Sequence, residues 1–160
     1  MNFEIDVSGE DIFNEDYVIC IASEDNNIKG FKMTRQLINT LNSRYGQNLY
    51  RYKKSKKGRT NLKIRLYCIT IYHLFKSLKI QQPIKLTICR DFNGKEQEIK
   101  DQIKYFLIKN LNIDVEEINF AKLASNSLAD HYAYLMRRDT KNKIKTYVNI
   151  TVRQFEEFLE

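Results

Sequence analysis

Within its first 33 residues the chain carries three short apolar runs separated by polar, turn-forming residues, and this opening restricts everything that can follow. Phe3, Ile5 and Val7 alternate with Asn2, Glu4 and Asp6, the period of a half-buried strand. Tyr17–Ala22 (YVICIA) is β-branched and nearly continuous in apolar character, which reads as a second strand. Asp25, Asn26 and Asn27 supply turn chemistry, and Ile28–Met33 (IKGFKM) reads as a weaker third strand. Three strands this close together are expected to be joined as hairpins.

The apolar period then lengthens. Thr34 makes a good helix N-cap, and Leu37, Ile38, Leu41 and Tyr45 fall on one face before Gly46 closes the helix. Gln47–Thr60 (QNLYRYKKSKKGRT) is polar, basic and aromatic, the composition of an exposed excursion from the core. Tyr67, Ile71, Leu74, Phe75 and Leu78 predict a helix from about Leu62, while the alternation of Leu62, Ile64 and Leu66 keeps a hairpin from Leu49 to Tyr67 open as an alternative. Pro83 introduces a buried-type strand, Ile84–Cys89, which ends at Arg90 and Asp91; Phe92-Asn93-Gly94 then turns into a helix over Lys95–Leu111. Ile118–Leu123 (INFAKL) reads as a fifth strand, and Ser125 or Asn126 caps a helix running to about Arg138. The tail, Ile144–Glu160, holds a short strand (TYVNITV) and an amphipathic end.

This order, β-β-β-α-(α)-β-α-β-α, predicts an α/β protein. Its mixed five-stranded sheet would have three antiparallel strands first, then parallel strands joined by crossovers, with helices on both faces. The length of 160 residues suits one domain, 1–160, with a basic insertion at 47–60 and a C-terminal extension at 140–160. One proline and five glycines leave no flexible linker to divide it. An apolar share of 42% suits a folded core, no apolar run approaches a membrane span, and the N-terminus is acidic. The chain is therefore expected to be soluble and intracellular, in the cytoplasm. Cys20, Cys68 and Cys89 are odd in number and widely spaced among apolar residues, which suits buried thiols better than a disulfide or zinc framework.

The net charge of +7 is unevenly distributed. Asn26 to Arg90 contains no Asp or Glu but ten Lys and six Arg, whereas eight of the twenty acids fall in the first 25 residues. Such a division is expected where one segment holds phosphates and another holds cations. Three acids sit in unusual places: Asp6 inside a strand opposite its apolar residues, Asp91 directly after a strand, and Asp130 about a turn into an otherwise apolar helix. Unpaired carboxylates near a sheet or a helix interface are costly. A divalent cation between them would remove that cost, and Mg²⁺ or Mn²⁺ takes carboxylate oxygens readily.

Asn126-Ser127-Leu128-Ala129-Asp130-His131-Tyr132-Ala133 resembles the N-x-x-A-D-x-x-A signature that opens the last catalytic helix of type 1 ribonuclease H. Ile5-Asp6-Val7-Ser8-Gly9 is similar to that family's first strand, and Asp91 matches the acid at the end of its fourth. The resemblance implies a ribonuclease-H-like fold, a two-metal nuclease using Mg²⁺ or Mn²⁺, and Asp6, Asp91 and Asp130 as metal-binding catalytic residues. The family's first-helix Glu is not matched: Thr34-Arg35-Gln36-Leu37 places Gln36 there, and Glu10 or Asp11 would have to supply the fourth carboxylate. Nor does Phe120–Leu123 contain the family's loop histidine, and His131 is expected to point away from its neighbour Asp130.

Arg51, Tyr52, Lys53, Lys54, Lys56, Lys57 and Arg59 interleave charge and aromatic surface, suited to phosphates and stacked bases. The expected partner is nucleic acid, whether DNA, RNA or a hybrid or branched form. The expected activity is metal-dependent phosphodiester hydrolysis. A binding protein that has lost the chemistry, or a small interaction or inhibitor protein, are the alternatives.

Overall fold

A computed structural model describes all residues from Met1 to Glu160. Five strands, β1 (Asn2–Ser8), β2 (Val18–Ser23), β3 (Ile28–Lys32), β4 (Ile84–Ile88) and β5 (Val115–Phe120), form one mixed sheet in the order β3-β2-β1-β4-β5. The first three are antiparallel, and β4 and β5 run parallel to β1. Five helices complete the chain: α1 (Arg35–Gly46), α2 (Lys56–Lys76), α3 (Glu96–Lys104), α4 (Leu128–Arg138) and α5 (Val152–Glu156).

The sheet separates two cores, and strand alternation decides which side chain joins which. Phe3, Ile5, Ile19 and Ile21 face the larger one, which contains the buried residues of α1, α2, α3 and α5. Val18, Cys20 and Ala22 face the other, closed by Ala129, Ala133 and Met136 of α4 at the i, i+4, i+7 spacing of one helix stripe. Helices therefore cover both faces, as the element order predicts, and β2 is buried throughout because it lies between them. Gly30 lets α4 approach, since a Cβ there would meet the sulfur of Met136 at 2.3 Å.

The segment from 47 to 60 departs from the expected exposed excursion. Ser55 accepts the Gly58 N–H and starts α2 at Lys56, six residues earlier than the periodicity placed it, so Lys56, Lys57 and Arg59 are helical. Polar capping chemistry sets this start, whereas apolar spacing shows only where the helix enters the core. There is no hairpin in this region. The preceding loop is anchored: Tyr45 Oη donates to the Lys53 carbonyl at 2.6 Å, and Tyr50 is buried with its hydroxyl on Glu156. A Cβ on Gly58 would stand 2.0 Å from the Lys53 carbonyl oxygen, a backbone atom that cannot rotate aside. Gly58→Ala should therefore cost about 2 kcal/mol, read as a fall in melting temperature of roughly 4–8 °C.

Three further boundaries move. The helix after Asp91 passes from α3 into a π-helical turn, Tyr105–Asn110. β5 begins three residues earlier than expected, because Glu116 and Glu117 are tolerated on a strand with an open outer edge. The cap of α4 is Ser127 rather than Ser125 or Asn126. In the tail, the expected strand reduces to one bridge, Tyr147 against Gly30, flanked by Gly30 N–H to Thr146 O at 3.0 Å and Val148 N–H to Gly30 O at 2.8 Å. That bridge shields the free edge of β3. Ile150, Phe155 and Leu159 are buried in the larger core, so residues 140–160 are part of the fold rather than an appendage. No helix is long and apolar enough to cross a membrane.

Candidate functional site

Alternation along β1 turns Asp6 toward α4, and the side chain is only 5% exposed. The Val7 N–H donates to its Oδ1 at 2.8 Å, and the carboxyl also meets the Asp130 carboxyl and the Cys89 thiol. Asp130 arrives there because β1 fixes the start of α4. Ser127 Oγ donates to Glu4 Oε1 at 2.9 Å and accepts the Asp130 N–H at 3.3 Å, so Asp130 sits in the first turn. Burial, reinforced by Asp130, pushes the Asp6 carboxyl up to about 6, against the pull of the Val7 N–H and of Cys89. Burial and the charge of Asp6 push the Cys89 thiol up to about 11, so it stays protonated and is no nucleophile near neutrality.

Asp91 follows β4 and engages the other side of the sheet, where Tyr17 Oη donates to its Oδ2 at 2.7 Å. Tyr17 is buried beside Tyr67 of α2, and Tyr67 in turn packs on Phe92 with ring centres 5.3 Å apart. Burial and the nearby charge of Asp11 raise the Asp91 carboxyl, with the Tyr17 hydroxyl acting against them. The Tyr17 phenol is driven far above its ordinary range by burial and then by Asp91, so it remains a neutral donor.

Asp11 forms an ion pair with Lys63 of α2 at 2.5 Å and accepts the Phe13 N–H at 2.8 Å. Burial works to raise its carboxyl, but Lys63, the Phe13 N–H and Arg59 together hold it below the usual carboxylate value. The Arg59 guanidinium lies 4.6 Å above the Phe13 ring and donates to Asn42. Glu10 is exposed.

The sequence-predicted aspartates thus divide between two sides of the sheet: Asp6 and Asp130 adjoin on the α4 side, whereas Asp91 is bound by Tyr17 on the other. No three His, Cys, Asp or Glu side chains are arranged around a common point that could hold a metal ion. Gln36 is exposed on α1, and the helix that faces the acids is α2, so the residue at its corner is Lys63. Tyr17 and Lys63 have no motif to announce them. The signal for Lys63 is its spacing four residues before Tyr67, which becomes readable once Ser55 is known to cap α2. His131 is exposed and lies edge-on to Tyr132.

Arg51, Lys53, Lys54, Lys56 and Lys57 are exposed, and the Arg51 guanidinium lies 5.3 Å over the Tyr52 ring. With Asn61, several of them line a cleft of about 300 Å³ at the start of α2. Lys57 and Lys63 are separated by ~9 Å along the axis of that helix and lie about 120° apart around it. A larger cleft of about 670 Å³ opens on the α4 side, lined by Glu4, Thr87, Asn119 and Ser127, and reaches neither Asp6 nor Asp130. Comparison with protein-family models, with characterised proteins and with solved structures gave no significant match to this chain.

Proposed function

We propose that the protein is a divalent-metal-dependent nuclease with a ribonuclease-H-like fold, hydrolysing phosphodiesters in DNA, RNA or a hybrid or branched substrate. The observation that carries this reading is the adjoining pair Asp6 of β1 and Asp130 of α4, in a chain whose helix α2 has basic first turns. The sheet order, with β1 central and Asp6 in its middle, supports the same assignment. Adjoining carboxylates, one of which is hard to ionise without a counter-charge, are the donor chemistry that Mg²⁺ or Mn²⁺ takes. Asp6 and Asp130 would hold the ion, which when bound acidifies a water and withdraws charge from a phosphoryl oxygen. The lysines at the start of α2 would hold the flanking phosphates.

A second reading, a nucleic-acid-binding protein without the chemistry, is favoured by one feature. Asp91 and Asp11 are already satisfied within the chain, by Tyr17 and Lys63.

The test is incubation with labelled duplex, hybrid, single-stranded and four-way-junction substrates in Mg²⁺, Mn²⁺ or EDTA, beside Asp6→Asn and Asp130→Asn. The nuclease reading expects metal-dependent cleavage that both variants lose. Retention of substrate without cleavage in either metal would establish the second reading instead.

A further inference from the structure

Resting on the reading that the protein binds nucleic acid, we infer that α4 carries a second contact site for it: one unpaired base stacks on Tyr134, and a neighbouring phosphate sits on Arg137. Tyr134 and Arg137 stand four and seven residues after Asp130, so the three share one stripe of the helix, and all three are exposed. Asp130 and Arg137 are ~10 Å apart along the helix axis, about three nucleotides at the ~3.4 Å rise of one strand of B-form DNA. On β1, Ser8 follows Asp6 by two residues and so lies on the same side of the sheet. Ser8, Tyr134, Arg137 and Arg138 meet in a cleft of about 360 Å³, which Glu15 and Asp16 complete.

The Arg138 guanidinium lies 4.4 Å over the Tyr134 ring and holds one of its faces. Tyr134 is nonetheless 48% exposed, which leaves the other face open to a base. Every base has a π-face for such stacking, but only an unpaired base can lay it on the ring, so the site favours single strands. Neither Arg137 nor Arg138 forms an ion pair, although two acids line the same cleft. Glu15 is committed to Arg35 at 2.7 Å. An arginine without a carboxylate partner is free to donate to a phosphate, which its planar fork fits. Bases in the last turn also offset the negative end of the helix dipole, but that role requires neither an aromatic platform nor a cleft. Asp16 is the one acid there without an ion pair, and its charge opposes a phosphate on Arg137.

Fluorescence anisotropy of the full chain in EDTA, with a labelled single-stranded oligonucleotide and the duplex of the same sequence, tests this. Tyr134→Ala should weaken single-strand binding by at least about fivefold, the lower end of what one stacked base contributes, and leave duplex binding nearly unchanged. Tyr134→Phe keeps the ring and should bind as wild type does. Arg137→Gln should flatten the single-strand plot of log affinity against log salt by about 0.7. Asp16→Asn should tighten binding, and asparagine tolerates the positive φ of 68° at that position. Circular dichroism verifies that each variant is folded. A Tyr134→Ala variant with wild-type single-strand affinity would overturn the inference, as would an equal loss on single strand and duplex. An Arg137→Gln variant that loses stability but keeps the wild-type slope would reduce the arginines to partners of the helix dipole and overturn it too. In each of these cases wild type still binds, so the nucleic-acid reading survives. Wild type that binds neither probe would defeat that reading, and this inference with it.

Discussion

Asp6→Asn is expected to abolish metal-dependent cleavage and yet to stabilise the metal-free protein above neutral pH. Burial and Asp130 hold the Asp6 carboxyl at about 6 in the folded chain, against 3.8 as the reference for the unfolded one. Below 3.8 the carboxyl is protonated in both states, and wild type and variant should be equally stable. Between these values the unfolded chain gives up its proton first, so wild-type stability falls as pH rises. Above the folded value the difference levels off. A shift of that size corresponds to about 3 kcal/mol, and screening by water at the edge of the sheet reduces it to about 1–2 kcal/mol. Asparagine keeps the shape and the Val7 hydrogen bond but never carries the charge. Urea unfolding in EDTA at pH 4, 6 and 8 should show a gap that opens with pH, and a variant weaker than wild type at pH 8 would contradict the account. Adding Mn²⁺ should reverse the ranking. At a hundredfold excess over Kd, binding stabilises the wild type by about 2.7 kcal/mol and leaves the variant unchanged.

Much of the sheet was legible because its signals are local. The alternation of Phe3, Ile5 and Val7 gives β1 its faces, and the uninterrupted YVICIA marks a strand closed on both sides. The same alternation puts Asp6 on the face opposite Phe3, Ile5 and Val7, but its burial there under α4 is set by a distant helix and is not written locally. What stayed hidden depends on contacts between distant residues. Asp91 was placed correctly at the end of β4, but nothing near it in sequence shows that Tyr17, 74 residues earlier, takes its carboxylate. Lys63 was one of sixteen bases in an acid-free stretch until Ser55 fixed the phase of α2 and set it against Asp11. The tail misled for a related reason. TYVNITV has the composition of a strand, but β3 is a five-residue edge strand and pairs with it only through a single bridge at Gly30. Composition shows what a segment prefers, and the partner available in space decides what it gets.

Replacing Lys53, Lys54, Lys56 and Lys57 together with glutamine should reduce nucleic-acid affinity on the order of 10²-fold at low salt and change stability little. All four are exposed, and none forms an ion pair, so in the free protein they hold nothing in place. Their energetic role is expected in the complex, where each neutralised phosphate releases about 0.9 of a counterion from duplex or about 0.7 from a single strand. Removing four such contacts should flatten the plot of log affinity against log salt by as much as about 3.6 for duplex and about 2.8 for a single strand. Which value is approached indicates the form bound. The loss should be the same for every sequence, because phosphate contacts carry no base information. Arg59→Gln is the informative contrast. Its guanidinium is already engaged with Phe13 and Asn42, so it should flatten the slope less than any of the four lysines and cost more in stability. Fluorescence anisotropy across a salt series measures both effects. A quadruple variant with the wild-type slope would show that the charges at the start of α2 face solvent only, and the nucleic-acid partner would lose its principal support.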